Sequence, residues 1–230
     1  GIDKNLWNEY SQRLQKVMGI KHATLVEQLA SDIELIQRSA YDQLHGCEFE
    51  TFRISTKRQF KDFPLTSQEV NEKVGKHIQL SYIKPVDLKN AEINLMIELV
   101  KGMAYVGYKR IYGYGGLPVG TSEHAVCMIS SGIDSPVAAF EMLQRGVNLS
   151  YVHFHSAPVT NRQSIQNVED ILMVLASYQI QCQVHMISLL KIQQKIMSNA
   201  PNKLWIILFR RAMIHIASRI AKILDAPALV

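Results

Sequence analysis

The chain has 230 residues, a formal net charge of +5 and 47% hydrophobic residues, a length and apolar content that suit one large or two small folded domains. Its three cysteines, Cys47, Cys127 and Cys182, are widely spaced, which excludes a disulfide framework or a zinc pattern and fits a reducing cytoplasm. No signal-peptide form is present, and the apolar run at 204–209 is broken by Arg210 and Arg211, well short of the roughly 20 residues a membrane helix needs.

In chain order, residues 3–18 read as a helix with Leu6, Tyr10, Leu14 and Val17 on one face, ended by Gly19. Residues 23–26 read as a short strand. The spacing of Leu29, Ile33, Ile36, Ala40 and Leu44 predicts a helix over 27–45, ended by Gly46. Residues 49–55 alternate as a strand, and 57–61 form a basic turn. Ser67 is placed to cap a helix over 68–78. Residues 86–88, 94–99 and 104–109 are strand-like. Helices and strands mixed without a repeat predict a small α+β domain ending near Arg110.

Residues 113–120 contain four glycines and a proline and no apolar period. Two readings stay open there, a flexible linker and a folded connector. From residue 121 onward strands and helices alternate: strand 125–129, helix 136–145, strand 149–154, helix 161–178, strand 181–187, helices 188–198 and 202–224, and a last strand from Ala228. Ile165, Val168, Ile171, Leu172 and Leu175 form the inward face of helix 161–178. Repeated βα units imply a parallel sheet covered on both faces, with ligands at the carboxyl ends of its strands. The loop 130–135 and the segment 153–156 both fall at such ends and are expected to be neighbours.

The run Ser130-Ser131-Gly132-Ile133-Asp134-Ser135 joins a buried strand to a helix opening at Pro136. Free N–H groups at a helix N-terminus, with the helix dipole behind them, make an anion site. Pro136 suits the first turn because it has no N–H to leave unpaired. Ser130, Ser131 and Ser135 add hydroxyls, and Asp134 is placed to hold a phosphate-bound Mg²⁺. The plainer reading is that these residues only cap the helix. Neither a Walker loop nor a dinucleotide fingerprint is present.

The segment Ser130–Ser135 resembles the PP-loop, S-G-G-x-D-S, of enzymes that cleave ATP between its α and β phosphates. The likeness extends to Pro136-Val137-Ala138, Arg145-Gly146-Val147, residues 151–156, and upstream to 115–121, 86–90, 57–58 and 61–67. That ordered set is similar to the ThiI family of tRNA 4-thiouridine synthetases, or tRNA sulfurtransferases. The family's first loop glycine is Ser131 here, and glycine is favoured where φ is positive or backbone approaches phosphate.

The resemblance implies a parallel-sheet PP-loop domain, Rossmann-like and of the adenine nucleotide α-hydrolase type, preceded by a small α+β THUMP domain. It implies limits at 1–25 (the end of an N-terminal ferredoxin-like domain), 26–110 (THUMP, RNA-binding), 111–120 (linker) and 121–230 (PP-loop), with the chain cut at both ends. It assigns ATP contacts to Met128, Ile129, Ser130, Ser131, Gly132, Asp134, Ser135, His153, Phe154 and Arg210, and both catalysis and Mg²⁺ to Asp134. Metal binding by His153 and His155 is disfavoured because no third ligand is evident. The basic middle segment, at +5 over 51–110 against −3 over 1–50 and +3 over 111–230, fits an RNA phosphate backbone. Its candidates are Arg53, Lys57, Arg58, Lys61, Lys73 and Lys76, with His77 beside them and Phe60 and Phe63 interleaved.

The implied reaction adenylates uridine O4 in tRNA and replaces it with persulfide sulfur. The implied partners are tRNA, a cysteine desulfurase, a thiamine sulfur-carrier protein and a second copy in a homodimer, without a membrane. The persulfide cysteine is expected beyond Val230. Two other readings are an RNA-binding protein with a degenerate PP-loop, and a different PP-loop adenylating enzyme.

Overall fold

The computed structural model describes residues 3–59, 62–157 and 162–230. The chain forms two compact units, one of residues 23–111 and one of residues 1–22 with 112–230. The elements are α1 (Trp7–Gln15), β1 (His22–Thr24), β2 (Glu27–Ala30), α2 (Ile33–Leu44), β3 (Phe52–Arg58), α3 (Ser67–Tyr82), β4 (Ile93–Val100), β5 (Met103–Gly107) and β6 (Arg110–Tyr112). There follow β7 (His124–Met128), α4 (Asp134–Gln144), β8 (Asn148–His155), α5 (Arg162–Ala176), β9 (Gln183–Ser188), α6 (Leu190–Asn199), α7 (Trp205–Ile223) and β10 (Ala228–Leu229).

The unit of residues 23–111 is a four-stranded sheet, order β2-β5-β4-β3, with α2 and α3 on one face. Strict alternation makes that one-sided core. Ile93, Leu95, Ile97 and Leu99 of β4 are buried against Ile36, Ala40, Val70, Val74 and Ile78, and the residues between them face away. Two expectations are corrected here. Residues 27–30 form strand β2 instead of opening a helix, because they pair antiparallel with Ala104, Tyr105 and their neighbours. The helix starts only where the Asp32 carboxylate accepts from the N–H groups of Glu34 and Leu35. At α3 the cap is Thr66 and not Ser67, since Thr66 and Glu69 satisfy each other's N–H groups in a capping box.

The other unit is built on a parallel sheet, order β10-β7-β8-β9. Ala125, Cys127, Leu149 and Tyr151 face α4 and α5; Val126, Val152 and Phe154 face the α7 side with Ala221. Residues 113–121 are folded onto this unit. Gly113 and Gly115 donate to the carbonyls of Lys21 and Ile20, Leu117 donates to Gln144, and Gly120 donates to Gly146. Gly116 has φ 76°, and a Cβ there would lie 2.1 Å from the Gln144 carbonyl oxygen, so only glycine fits this approach. Tyr114 stacks edge-on against Phe140 and Tyr178. Residues 113–120 are therefore folded against their own unit.

Cys127 is 1% exposed, and burial pushes its thiol up to about 11. An unfolded thiol ionises near 8.5–9, so above that pH the unfolded chain releases a proton that the native chain keeps. Stability is expected to fall by about 2 kcal/mol through this group between pH 8 and 10.5. Urea unfolding of the wild-type chain and Cys127→Ala at both pH values checks it. The variant is expected to lose less on the alkaline side; an equal loss would put the thiol in a water-like setting.

Candidate nucleotide site

The loop 130–135 leaves the carboxyl end of β7. That end is held on both sides: Met128 N–H donates to Val230 and Ile129 N–H donates to Val152, at 2.8 and 2.9 Å. The sheet order reverses here, since β8 and β9 lie to one side of β7 and β10 to the other. Such a switch point opens a crevice above the strand ends.

Within the loop, Ser135 Oγ accepts from Ser130 N–H at 2.9 Å and lies 3.0 Å from Ser130 Oγ. Gly132 N–H donates to Ser130 Oγ at 3.3 Å. These bonds tie the first loop residue to the first turn of α4. They leave the N–H groups of Ser131, Ile133, Asp134 and Ser135 without a protein acceptor among the described residues. The helix has no side-chain N-cap. The capping reading of these serines thus gives way to loop closure, with the unpaired donors at the positive end of the dipole. Ser131 is exposed and is not among the residues with positive φ, so replacing glycine by serine introduces no backbone strain.

The Asp134 carboxylate is exposed in the first turn of α4 and has neither an ion pair nor a hydrogen bond among the described residues. The described residues contain no cluster of three or more His, Cys, Asp or Glu. One free carboxylate beside an anion loop fits Mg²⁺, which is held by one or two carboxylates together with substrate phosphates.

The four residues flanking the loop divide between the two faces of the sheet. Ile129 and His153 are buried, at 3% and 5% exposure. His153 Nδ1 lies 2.9 Å from the Ile129 carbonyl. A carbonyl only accepts, so Nδ1 carries the proton and donates. His153 therefore clamps the last residue before the loop, and its side chain is committed to that bond. Met128 and Phe154 are half-buried on the opposite face, the α7 side. The expected neighbourhood of 130–135 and 153–156 is present.

Arg210 is exposed on α7 and has no carboxylate partner among the described residues. It lies seven and eleven residues before Ala217 and Ala221, both buried toward the sheet, so it shares their stripe. Because α7 leads directly into β10, its C-terminal end is at the amino pole of the parallel sheet and Arg210 is toward the carboxyl pole, as is the loop. Sequence reasoning missed the His153 clamp, which leaves no local pattern. Two cavities in this unit, of about 590 and 570 Å³, are lined by residues such as Arg13, Lys16 and Tyr112, and Pro118, Tyr178 and Gln179; neither includes a loop residue.

The basic candidates of the other unit do not form one patch. Arg53 and Lys57 are on β3, facing away from the helices, and Lys57 lies 3.9 Å from Glu98. Lys73 and Lys76 are exposed on α3, with half-buried His77. Arg58 donates to the carbonyls of Phe63 and Leu65, holding the loop before α3. Phe63 is in the core. Phe60 and Lys61 lie outside the described residues.

Residues 120–230 match the family model described as thiamine biosynthesis protein (ThiI), and residues 27–109 match the THUMP domain. A probable tRNA sulfurtransferase of Thermus thermophilus is 34% identical over 228 residues, covering 99% of this chain and 56% of that protein. Another, from Thermoanaerobacter pseudethanolicus, is 38% identical over 224 residues, covering 96% of this chain and 58% of that one. The chain thus spans a little over half the length of these curated relatives. Among solved structures, a 4-thiouridine synthetase–RNA complex with bound ATP has TM-score 0.87 at 30% identity, covering 99% of this chain and 60% of that one. A Pyrococcus horikoshii protein has TM-score 0.68 at 28% identity, covering 83% and 66%.

The clamp can be separated from mere packing by two substitutions. His153→Leu leaves the buried Ile129 carbonyl unpaired and is expected to cost about 1–3 kcal/mol of stability and to weaken ATP binding. His153→Asn keeps a donor in the Nδ1 position and is expected to recover most of the ATP affinity, read by calorimetric titration. Equal ATP affinity in the leucine variant would remove the clamp from the site.

Proposed function

We propose that this chain, whose residues 27–109 match the THUMP domain and 120–230 the ThiI model, belongs to the ThiI family and is the RNA- and ATP-binding part of a tRNA sulfurtransferase that makes 4-thiouridine. The observation that carries the reading is the loop 130–135, whose unpaired N–H groups meet a helix N-terminus at the sheet's switch point.

In this reading uridine O4 attacks the α phosphorus of ATP and pyrophosphate leaves. The outer sulfur of a carrier persulfide then attacks C4 and AMP leaves with the former O4; a second thiol cleaves the remaining S–S bond, leaving sulfur on C4 and a disulfide on the carrier. A carbonyl oxygen is a poor leaving group, and adenylation makes it a good one. Ser131, Ile133, Asp134 and Ser135 offer backbone donors, and Arg210 offers a forked cation, to the charge that develops on pyrophosphate. Mg²⁺ held by Asp134 would neutralise phosphate charge. Met128 and Phe154 give the nucleoside an apolar face, while Ile129 and His153 fix the loop from behind. The ordinary φ of Ser131 argues against a degenerate loop.

The sulfur carrier is proposed to be none of the three cysteines. A carrier needs an accessible, activated thiolate. Cys127 is buried and its thiol is pushed up; burial also raises that of Cys182; Cys47 Sγ is 2.9 Å from the Tyr108 hydroxyl. Sulfur would come from a cysteine desulfurase in the cytoplasm. A supply of sulfur for thiamine and a homodimer belong to the same family reading.

Asp134→Ala is expected to lower ATP–pyrophosphate exchange, measured with tRNA present, by at least about a hundredfold while the chain stays folded. Undiminished exchange would take Asp134 out of the reaction. Separately, Lys57, Lys73 and Lys76 replaced together by glutamine are expected to weaken tRNA binding and reduce its salt slope by about two. An unchanged salt series would place the RNA surface off these residues.

A further inference from the structure

Residues 171–224 contain seven lysines and arginines and not one aspartate or glutamate. Most of this stretch forms β9, α6 and α7. On α7 the 3.6-residue period puts Arg211, His215, Arg219 and Lys222 on one face, at i, i+4, i+8 and i+11. All four are exposed. Among the described residues the ion pairs are Arg13–Glu9, Arg38–Asp42, Lys57–Glu98 and Lys84–Glu50, so none involves this face. The stripe runs roughly 16 Å at 1.5 Å per residue. It is not the stripe of Ala217, Ala221 and Arg210, which packs toward the sheet through its two alanines.

A solvated helix face ordinarily mixes charge signs at i,i+4, where like charges repel. Here three permanent cations share a face with no counter-charge. The apolar residues exposed on α7 are Ile206, Ile207, Ile214 and Ile223; Ile206 follows the sheet-facing stripe, Ile207 and Ile214 lie between that stripe and the cations, and Ile223 ends the helix one turn after Arg219. That arrangement does not make a helix lying in a membrane surface, where the apolar and cationic faces are opposed across an exposed helix. It offers a row of point charges to a rigid polyanion.

We propose that the face Arg211–His215–Arg219–Lys222 of α7 contacts the phosphate backbone of the RNA substrate, as an electrostatic surface separate from the scattered cations of residues 51–110. This rests on the reading that the chain acts on tRNA. The surface would position RNA by its backbone, without sequence preference, on the same unit as the loop 130–135.

The test is a salt series of tRNA binding by the 230-residue chain, wild type and R211Q/H215Q/R219Q/K222Q. Removing three permanent cations is expected to flatten the slope of log K against log salt by about two to three. Affinity near 0.1 M salt is expected to fall by about tenfold or more. R211K/R219K keeps the charge and is expected to keep the slope. ATP affinity and the thermal melt of the glutamine variant are expected to match wild type, which separates lost charge from lost fold. Wild-type binding with an unchanged slope in the glutamine variant overturns the α7 surface and leaves the functional reading intact. Binding of wild type, but not this variant, to phosphatidylserine vesicles with the tRNA slope unchanged also overturns it. Failure of the wild-type chain to bind tRNA at about 50 mM salt defeats the functional reading as well.

Discussion

The carboxyl end of β7 is the point on which the candidate nucleotide site depends. Val230 accepts from Met128 on one side and Val152 accepts from Ile129 on the other. With both neighbours in register, the chain leaving β7 has a fixed position and direction. His153 then fixes the Ile129 carbonyl from within the core. The loop therefore springs from a rigid base, and its own hydrogen bonds need only close six residues. Such preorganisation matters because donors already aimed at developing charge need no reorganisation when the charge appears.

The same strand explains how the residues flanking the loop are divided. Adjacent residues point to opposite faces, so Ile129 and His153 go into the core shared with α4 and α5 while Met128 and Phe154 go to the α7 side. One set supports the loop, and the other remains available at the surface. On α7 the buried alanines Ala217 and Ala221 allow close approach to the sheet, and Arg210 lies on the same stripe two to three turns earlier and exposed.

Charge is distributed with a similar separation of tasks. Arg58 organises the loop before α3, whereas Lys73 and Lys76 are exposed on that helix. On α7, Arg210 lies on the packing stripe and Arg211 on the outer one, although they are neighbours in sequence. A count of lysines and arginines does not distinguish these roles. The partner of each guanidinium or ammonium group does.

The sequence by itself determined the βα alternation, the loop of small polar residues at a strand–helix junction and the mixed α+β character of the residues up to about 110, because each is written in local periodicity or in a short run of small polar residues. It also carried the family likeness, in the ordered motifs from residue 57 to 156. It misplaced β2, since Leu29 and Ile33 have helical spacing and only pairing with β5 makes residues 27–30 extended. It left the glycine-rich segment open, because the same glycines that permit flexibility also permit the 2.1 Å approach that pins Gly116 to α4. The His153–Ile129 bond and the face of the sheet to which each residue flanking the loop is turned were decided by the tertiary structure. Each depends on which strands become neighbours, and strand order is a property of residues distant in the chain.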